Sequence, residues 1–198
     1  MLAVAILAAG ESRRMGRPKA LLTYQGKTFV QHLLDATRHP RVGVVRVVLG
    51  ARAAELQEKL RLDPSIAAIN EHWPLGQLSS IQTGIRSLPE GTEGLILCPV
   101  DNPMISEALV AGLIEKFDVS GKAVVIPTFQ GKRGHPVIFR AMLYAELLAA
   151  SPEVGARQVV WAHAEETLEV PTEEEGVVLN INNPETYKRV TGEELPSS

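Results

Sequence analysis

The sequence predicts an α/β fold with a mostly parallel sheet and helices on both faces. Short apolar runs typical of buried strands alternate with segments whose apolar residues recur at helical spacing through the first two thirds of the chain. Such alternation favours right-handed βαβ units, which build three-layer α/β/α domains. Ligands of open sheets bind beyond the carboxyl ends of the strands, so the residues that follow each strand are the first candidates for a functional site.

Each predicted element rests on its own apolar pattern. The strands are runs that are apolar almost throughout, as expected where helices cover both faces of a sheet, and they span residues 2–7, 44–49, 66–69, 95–98 and 123–126. The helices have apolar residues three and four positions apart, and they span residues 28–38, 53–60, 78–88 and 106–117. Ser106 begins the last of these helices, since a serine hydroxyl can accept a hydrogen bond from the first turn.

The regular alternation ends at about residue 127. The elements expected after it are a strand at 136–139, a helix at 141–150 and a strand pair at 167–170 and 177–179. Asn183 followed by Pro184 predicts the start of a last helix that reaches about residue 190. Residues 195–198 are expected to fray. Since neither a repeat nor a linker divides the sequence, we predict a single domain over residues 1–198.

The composition carries no strong bias in charge. A chain of 198 residues can bury one sizeable core. Its net charge of −3 gives no reason to expect nucleic acid or an anionic membrane as a partner. Cys98 is the only cysteine, which excludes an internal disulfide and favours a reducing compartment. No apolar run approaches the roughly 18 residues that span a bilayer, and no secretory signal opens the sequence. A cytoplasmic location is therefore expected.

The most informative segment is the loop after the first predicted strand, which reads L-A-A-G-E-S-R-R-M-G-R-P-K over residues 7–19. Gly10 and Gly16 are expected to adopt positive φ and to let the backbone approach a ligand, so that backbone N–H groups form a nest for anions. Four cations can bind phosphate oxygens there, namely Arg13, Arg14, Arg17 and Lys19. The spacing matches neither a P-loop nor a dinucleotide fingerprint. The loop indicates a polyphosphate site, with a solvated turn as the alternative.

A carboxylate follows the strand predicted at 95–98. Asp101 lies in the segment P-V-D-N-P and is expected to project from the same sheet edge as Gly10 and Lys19. Carboxylate oxygens suit Mg²⁺, which takes one or two protein carboxylates together with phosphate oxygens of a substrate. Although an Asp near a Pro is common in ordinary turns, this placement favours a metal ligand.

The loop motif L-A-A-G-x-S-x-R-M-G-x-x-K resembles the opening motif of the nucleotidyltransferases of molybdenum cofactor maturation, the MobA-like NTP transferases. Within that family it is most similar to the cytidylyltransferase branch, while sugar-phosphate nucleotidyltransferases share a looser version. The resemblance implies a Rossmann-like three-layer nucleotidyltransferase fold. It also implies Mg²⁺-dependent transfer of CMP from CTP to a phosphorylated acceptor, molybdopterin carrying molybdenum, with release of pyrophosphate.

The segment from Asn70 to Ser80 resembles the family's N-x-x-W-x-x-G-x-x-S-S element and leads into a predicted helix. Gly76 would let the backbone approach the base, and Ser79 and Ser80 would offer hydroxyl donors. An N-capping turn packed on Trp73 is the structural alternative, and the two roles are compatible.

Residues 131–136 read G-K-R-G-H-P and resemble the family's G-[HN]-P element, which lies on the acceptor side of the active site. His135 would orient the acceptor, and Lys132 or Arg133 would attract it. A basic glycine-rich hairpin without such a role is the alternative.

The resemblance assigns roles by position in these motifs. The residues implied to be catalytic are Arg14, Lys19 and Asp101. Nucleotide contacts are implied for Leu7, Ala8, Ala9, Gly10, Ser12, Arg13, Gly76, Ser79 and Ser80. Acceptor contacts are implied for Gly134, His135, Asn180 and Asn182, and Mg²⁺ ligation for Asp101 and Asn182. Arg157 lies in a segment that we interpret as an ordinary surface helix.

Two departures bear on the transferred nucleotide. Asn180 and Asn182 stand where the family's closing D-x-D-x-P-E/D pattern has acids, and guanylyl-transferring relatives often carry asparagines at these positions. Alternation along a strand would place both on one side, and only an uncharged amide oxygen of Asn182 would remain for Mg²⁺. Ala9 stands where guanylyl-transferring relatives usually have a second glycine, and its β-carbon favours a pyrimidine.

Several alternatives remain open from the sequence. They are guanylyl transfer to the same cofactor, nucleotidyl transfer to a sugar or other small phosphate, and a cofactor chaperone that binds nucleotide without turnover. An NTP and a phosphorylated acceptor are the expected partners in the enzymatic cases, and a molybdoenzyme client is a further one.

Overall fold

The computed structural model describes residues 1–195 of the chain. The strands are β1 (Leu2–Ala8), β2 (Thr23–Tyr24), β3 (Lys27–Thr28), β4 (Val42–Leu49), β5 (Ala67–Ile69), β6 (Gly94–Pro99), β7 (Val124–Phe129), β8 (Lys132–Arg133), β9 (Val137–Arg140) and β10 (Thr167–Pro171). The α-helices are α1 (Phe29–Ala36), α2 (Ala53–Lys59), α3 (Gln77–Arg86), α4 (Glu107–Ser120), α5 (Tyr144–Ala149), α6 (Arg157–Ala162) and α7 (Pro184–Thr191). Of the fraying predicted for residues 195–198, the part at 196–198 lies outside the described residues.

The predicted α/β class with a mostly parallel sheet is confirmed. The strands follow the order β10-β7-β9-β6-β1-β4-β5, and β8 pairs with β7 at the side of this path. β1 is parallel to β4 and β6, β5 is parallel to β4, and β10 is parallel to β7. β9 alone in this order runs antiparallel between β6 and β7. The carboxyl ends of β1, β4, β5 and β6 therefore meet at one edge of the sheet.

Helices cover both faces of the sheet because β1 is apolar on both sides. The side chains of Leu2, Val4 and Ile6 lie in one core cluster with residues of α1 and α4. The alternate residues Ala3 and Ala5 lie in a second cluster with residues of α3, α5 and α6. This arrangement explains why the strand is an unbroken apolar run, with no polar residue at every second position.

Two predicted helix starts are confirmed by their caps. The Ser106 hydroxyl accepts a hydrogen bond of 3.0 Å from the backbone N–H of Leu109. The Asn183 side chain accepts one of 2.8 Å from the backbone N–H of Thr186, with Pro184 as the first residue of α7. The predicted helix at 141–150 is a 3₁₀ turn at Ala141–Leu143 followed by α5.

The strand predicted at 177–179 is wrong. Glu175–Val178 forms a 3₁₀ helix, and β10 pairs with β7 instead. The Val177 carbonyl accepts a hydrogen bond of 2.8 Å from the His135 N–H. Its partner is therefore a neighbouring loop and not another strand of a β-ladder. Residues 180–182 also lie outside any strand, which removes the predicted alternation of Asn180 and Asn182.

The described residues 1–195 contain no helix that is long and apolar enough to cross a membrane.

A side chain at position 176 is expected to lower the free energy of unfolding. A β-carbon built on Gly176 would overlap the backbone carbonyl of Met104, and overpacking of this kind typically costs about 1–3 kcal/mol. Gly176→Ala should therefore lower the free energy of unfolding by roughly that amount, measured by urea denaturation. Gly112→Ala is the matched control, because a β-carbon there meets nothing within 4 Å and replacing a helix-interior Gly by Ala stabilises by about 0.5–1 kcal/mol. Equal stability of the two variants would contradict this close contact.

Candidate functional site

The loop between β1 and β2 begins with a tight turn whose backbone dihedral angles are restricted. Ser12 adopts φ 59° and Gly16 adopts φ 68°, and Arg13–Met15 between them forms one 3₁₀ turn. The positive φ expected of Gly16 is confirmed, whereas that expected of Gly10 is wrong, because the left-handed position at the start of this turn is Ser12. A β-carbon on Gly10 would meet nothing within 4 Å, so its lack of a side chain leaves open space at the loop.

The loop is held by an anchor and a hydrogen bond. Met15 is buried in a small cluster with Leu22, Phe29 and Tyr187. The Ser12 hydroxyl accepts a hydrogen bond of 3.1 Å from the backbone N–H of Lys19. Ser12 thereby fixes the start of the 3₁₀ turn at Lys19–Leu21, which directs the Lys19 side chain.

Lys19 joins the first loop to two other segments. Its ammonium Nζ lies 3.2 Å from Asp101 Oδ2 and donates a hydrogen bond to Asn182 Oδ1. The side chains of Lys19 and Asp101 are only 15% and 21% exposed, so this ion pair is partly shielded from water. A carboxylate oxygen and an amide oxygen thus converge on a single cation.

Asn182 reaches this position because its segment is hydrogen-bonded to the loop after β6. The Asn102 side-chain amide donates to the Leu179 carbonyl at 3.0 Å, and the Ile181 N–H donates to the Asp101 carbonyl at 2.9 Å. Ile181 is fully buried between these contacts. The backbone around Asp101 therefore positions both Asp101 and Asn182.

A cavity of about 490 Å³, here the first cavity, opens at the carboxyl ends of β1 and β6. The predicted residues that line it are Leu7, Ala8, Ala9, Gly10, Ser12, Arg13, Arg14, Lys19, Gly76, Ser80, Asp101 and Asn182. Ser79 is buried beside it but does not line it. Among the described residues Arg14 has no ion-pair partner, whereas Arg13 pairs with Glu11. The opening motif, the Asp101 loop and the start of α3 therefore form one site.

A second cavity of about 370 Å³ adjoins the first and shares Gly76 and Gln77 with it. His135 lines this second cavity. Its Nδ1 is buried and has no hydrogen-bond partner within residues 1–195. Burial lowers the pKa of His135, and the negative charge of Asp101 opposes this shift without reversing it. The imidazole is therefore neutral at pH 7 and retains an unused hydrogen-bonding atom.

Of the other residues predicted to contact the acceptor, Asn182 lines the first cavity, whereas Gly134 and Asn180 line neither cavity. Gly134 is buried, and a β-carbon there would overlap the Val177 carbonyl. This contact gives Gly134 a structural reason to be glycine. Asn180 is exposed, with its amide 3.4 Å from the Val178 carbonyl.

Sequence reasoning missed Gln77 and Arg157 as cavity residues. Gln77 begins α3 and lines both cavities, and its position within the recognised motif could have indicated it. Arg157 begins a surface helix, as predicted, but it also lines the second cavity. Nothing local in the sequence places α6 beside His135, so no pattern could have identified Arg157.

The oxygen atoms beside Lys19 form a donor set suited to a hard divalent cation. Carboxylate, amide and water oxygens are the ligands preferred by Mg²⁺ and Mn²⁺. The Lys19 ammonium already occupies the point where Asp101 and Asn182 converge, which shows that the geometry accepts a positive charge. Within residues 1–195, no group of three or more His, Cys, Asp or Glu side chains is arranged so that it could hold a metal ion.

The fold and the first cavity together define an α/β protein with a cavity at the carboxyl edge of its sheet, lined by cations, a carboxylate and an amide. Residues 4–167 match the MobA-like NTP transferase domain family. The chain belongs to this family, and it is a nucleotidyltransferase by class.

Relatives within the family carry different names. The chain is 31% identical to nicotine blue oxidoreductase of Paenarthrobacter nicotinovorans over 77% of this chain and 78% of that protein. It is 30% identical to a probable molybdenum cofactor guanylyltransferase of Opitutus terrae over 95% and 94% of the two chains. The Bacillus cytotoxicus protein of the same name is matched over 62% of its length.

A solved structure has the same fold. The manganese complex of Rv0371C from Mycobacterium tuberculosis superposes with a TM-score of 0.78 at 22% identity, over 97% of this chain and 98% of that one. At this identity the likeness establishes the fold, which confirms the predicted Rossmann-like nucleotidyltransferase architecture.

Proposed function

We propose that this protein transfers CMP from CTP to the phosphate of molybdopterin carrying molybdenum, with release of pyrophosphate. One observation carries the proposal: a single cavity brings together the glycine-rich loop, Arg14, and Lys19 with its oxygen partners Asp101 and Asn182. Cations and oxygen ligands at one point are what the charge of a reacting triphosphate requires.

The lining of the first cavity includes both charged and apolar residues, and we infer that the two kinds of residue orient the nucleotide from two ends. The charged end at Arg14 and Lys19 would take the triphosphate, together with backbone N–H groups near Gly10. We place the base at the part of the lining that includes Ala9, Trp73, Gln77 and Ser80, where apolar groups are combined with an amide and a hydroxyl.

In the proposed reaction, an oxygen of the acceptor phosphate attacks the α-phosphorus of CTP in line. A new P–O bond forms as the bond from the α-phosphorus to the bridging oxygen breaks, and pyrophosphate leaves with that electron pair. Positioning and charge stabilisation carry such a transfer, so no covalent enzyme intermediate is needed. Arg14 and Lys19 would stabilise the charge on the phosphate oxygens.

A divalent cation, Mg²⁺ in this proposal, would be held by Asp101 and Asn182. When bound, it supplies charge neutralisation at the phosphates. The manganese complex of the structural neighbour supports a divalent ion in this fold. Asp101 provides the negative charge at this position, and Asn182 provides an oxygen without charge.

The second cavity is the proposed place for the acceptor. It adjoins the first at Gly76 and Gln77, and its walls combine apolar side chains with the polar or charged residues His135, Glu153 and Arg157. A ring system could enter this cavity while its phosphate reaches the first one. The neutral His135 would orient the acceptor by a hydrogen bond.

Guanylyl transfer is the second candidate, and specific observations favour it. Asn180 and Asn182 follow the guanylyl pattern, and the relative from Opitutus terrae is named a guanylyltransferase. Ala9 favours the cytidylyl alternative, because its β-carbon at the cavity wall narrows the space for a base.

The test measures pyrophosphate release with CTP, GTP, UTP and ATP, each with Mg²⁺ and with or without the molybdenum cofactor. We expect kcat/KM for CTP to exceed that for GTP by about 10–200-fold, the discrimination that pocket shape typically provides. Ala9→Gly should reduce this ratio, and Ala150→Gly, away from both cavities, should leave it unchanged.

Faster turnover with GTP would replace the cytidylyl proposal by the guanylyl one. Release of pyrophosphate with sugar phosphates but not with the molybdenum cofactor would show that the acceptor is a sugar phosphate. Tight nucleotide binding without turnover on any acceptor would identify a cofactor chaperone.

A further inference from the structure

A buried amide lies behind the base end of the first cavity. Asn70 follows β5 and is 1% exposed. Its Nδ2 donates hydrogen bonds of 2.9 Å to Ser79 Oγ and 3.0 Å to Ser80 Oγ. Its Oδ1 accepts a hydrogen bond of 2.9 Å from the backbone N–H of His72. One side chain thus connects the end of β5 to the start of α3.

The orientation of this amide is fixed by its surroundings. A backbone N–H can only donate, so the His72 N–H requires the oxygen of Asn70 on its side. The NH₂ group must therefore face Ser79 and Ser80. Both serine oxygens accept a hydrogen bond from Asn70, and each keeps one hydroxyl proton to donate.

The two hydroxyl protons have different fates. Ser79 Oγ donates to the Gly76 carbonyl at 2.8 Å, which satisfies Ser79 within the protein. Ser80 Oγ has no acceptor for its proton within residues 1–195, and Ser80 lines the first cavity. The Ser80 proton is thereby left for a ligand.

We propose that Asn70 is a positioning residue that sets the polarity of Ser80, so that the Ser80 hydroxyl donates to an acceptor atom on the nucleotide base. The inference rests on the proposed function, which places the base at this end of the first cavity. A donor at Ser80 selects heterocycles with a carbonyl oxygen or an unprotonated ring nitrogen on the facing edge, and disfavours an amino group there.

Asn70→Asp tests the polarity directly. A carboxylate can only accept, so Ser80 must turn its proton towards residue 70 and present lone pairs to the base. We expect the Kd of CTP, measured by calorimetry, to rise by about 10–100-fold, the effect of leaving a buried polar group opposed or unpaired. The Kd of inorganic tripolyphosphate, which has no base, should change less than about twofold.

Three further variants separate positioning from a merely structural role. Ser80→Ala should weaken the binding of CTP but not that of tripolyphosphate. The double variant with Asn70→Asp and Ser80→Ala should bind CTP with the same Kd as Ser80→Ala alone, since Asn70 acts through Ser80. Ser87→Ala is the matched control, because it removes a hydroxyl that donates to the Gly84 carbonyl at the other end of α3, and it should leave CTP affinity unchanged. If Asn70→Asp does not fold, Asn70→Ser is the substitute, because it removes the amide donor without burying a charge. It should raise the Kd of CTP and leave the Kd of tripolyphosphate unchanged.

The outcomes are distinct. The positioning role would be overturned if the Asn70 variants lost affinity for CTP and for tripolyphosphate to the same extent. It would also be overturned if the losses in CTP affinity of the two single variants added up in the double variant. CTP affinity in Asn70→Asp equal to that of the unaltered protein would overturn it as well. If the unaltered protein binds no nucleotide more tightly than tripolyphosphate, the proposed function fails instead.

Discussion

Asp101→Asn is expected to lower Mg²⁺-dependent turnover by a factor of at least about 10²–10³, on the order of the loss when one preorganised charge-stabilising group is removed from an active site. The substitution keeps the shape of the side chain but removes its negative charge. Asp101 lies 3.2 Å from Lys19 in the turn that follows the buried strand β6, and its carbonyl accepts a hydrogen bond from the Ile181 N–H, so its backbone is held on both sides. Turnover should be measured across a titration of Mg²⁺.

The fold of Asp101→Asn should survive, because Asp101 lies in the turn after β6, outside the core, and an amide oxygen can still accept a hydrogen bond from Lys19. CTP binding without metal should be unchanged or tighter, since a negative charge beside the phosphates is gone. Asp118→Asn is the matched control, because Asp118 pairs with Arg41 at the surface and such pairs contribute about 0–1 kcal/mol. Near-normal turnover of Asp101→Asn would exclude Asp101 as the metal ligand.

Lys19→Ala is expected to weaken CTP binding by about 10–100-fold and to slow transfer, since a hydrogen bond involving a charged group contributes about 1.5–3 kcal/mol. The side chain is 15% exposed, so solvent screens its charge only in part. Lys116→Ala is the matched control, because Lys116 is exposed on α4. Calorimetry gives the affinities, and pyrophosphate release gives the rates.

The position of Lys19 gives a second and opposite expectation. Its ammonium stands between Asp101 and Asn182, so in the absence of nucleotide it competes with a divalent cation for the same oxygens. Lys19→Ala should therefore bind Mn²⁺ more tightly than the unaltered protein when no nucleotide is present, as measured by electron paramagnetic resonance. Equal CTP losses in the Lys19 and Lys116 variants, or weaker Mn²⁺ binding in Lys19→Ala, would show that the site lies elsewhere.

Local patterns in the sequence were sufficient for the features that depend on near neighbours in the chain. An unbroken apolar run predicted β1, and the residue after a strand predicted that Asp101 would lie at the sheet edge. The caps at Ser106 and Asn183 followed from the chemistry of their side chains, which bond to N–H groups three residues away. Periodicity and capping act over one or two turns, and the sequence displays them directly.

The strand predicted at 177–179 shows where such patterns fail. Val177 is buried, as a strand residue would be, but the carbonyls of Val177 and Leu179 accept hydrogen bonds from His135 and Asn102, which lie 40 or more positions earlier in the chain. The same distant contacts place Asn182 beside Lys19 and leave Asn180 exposed. The sequence pattern gave no reason to distinguish the two asparagines.

By itself, the sequence determined the α/β class, the loop that begins the site, and the family. Only the tertiary structure decided that Ser80 faces the first cavity while Ser79 is bonded to Gly76, and that Arg157 lies beside the second. The reason is physical: a side chain's type and local period set which element it joins. Its role depends on which partners the packing of distant segments brings within hydrogen-bond distance.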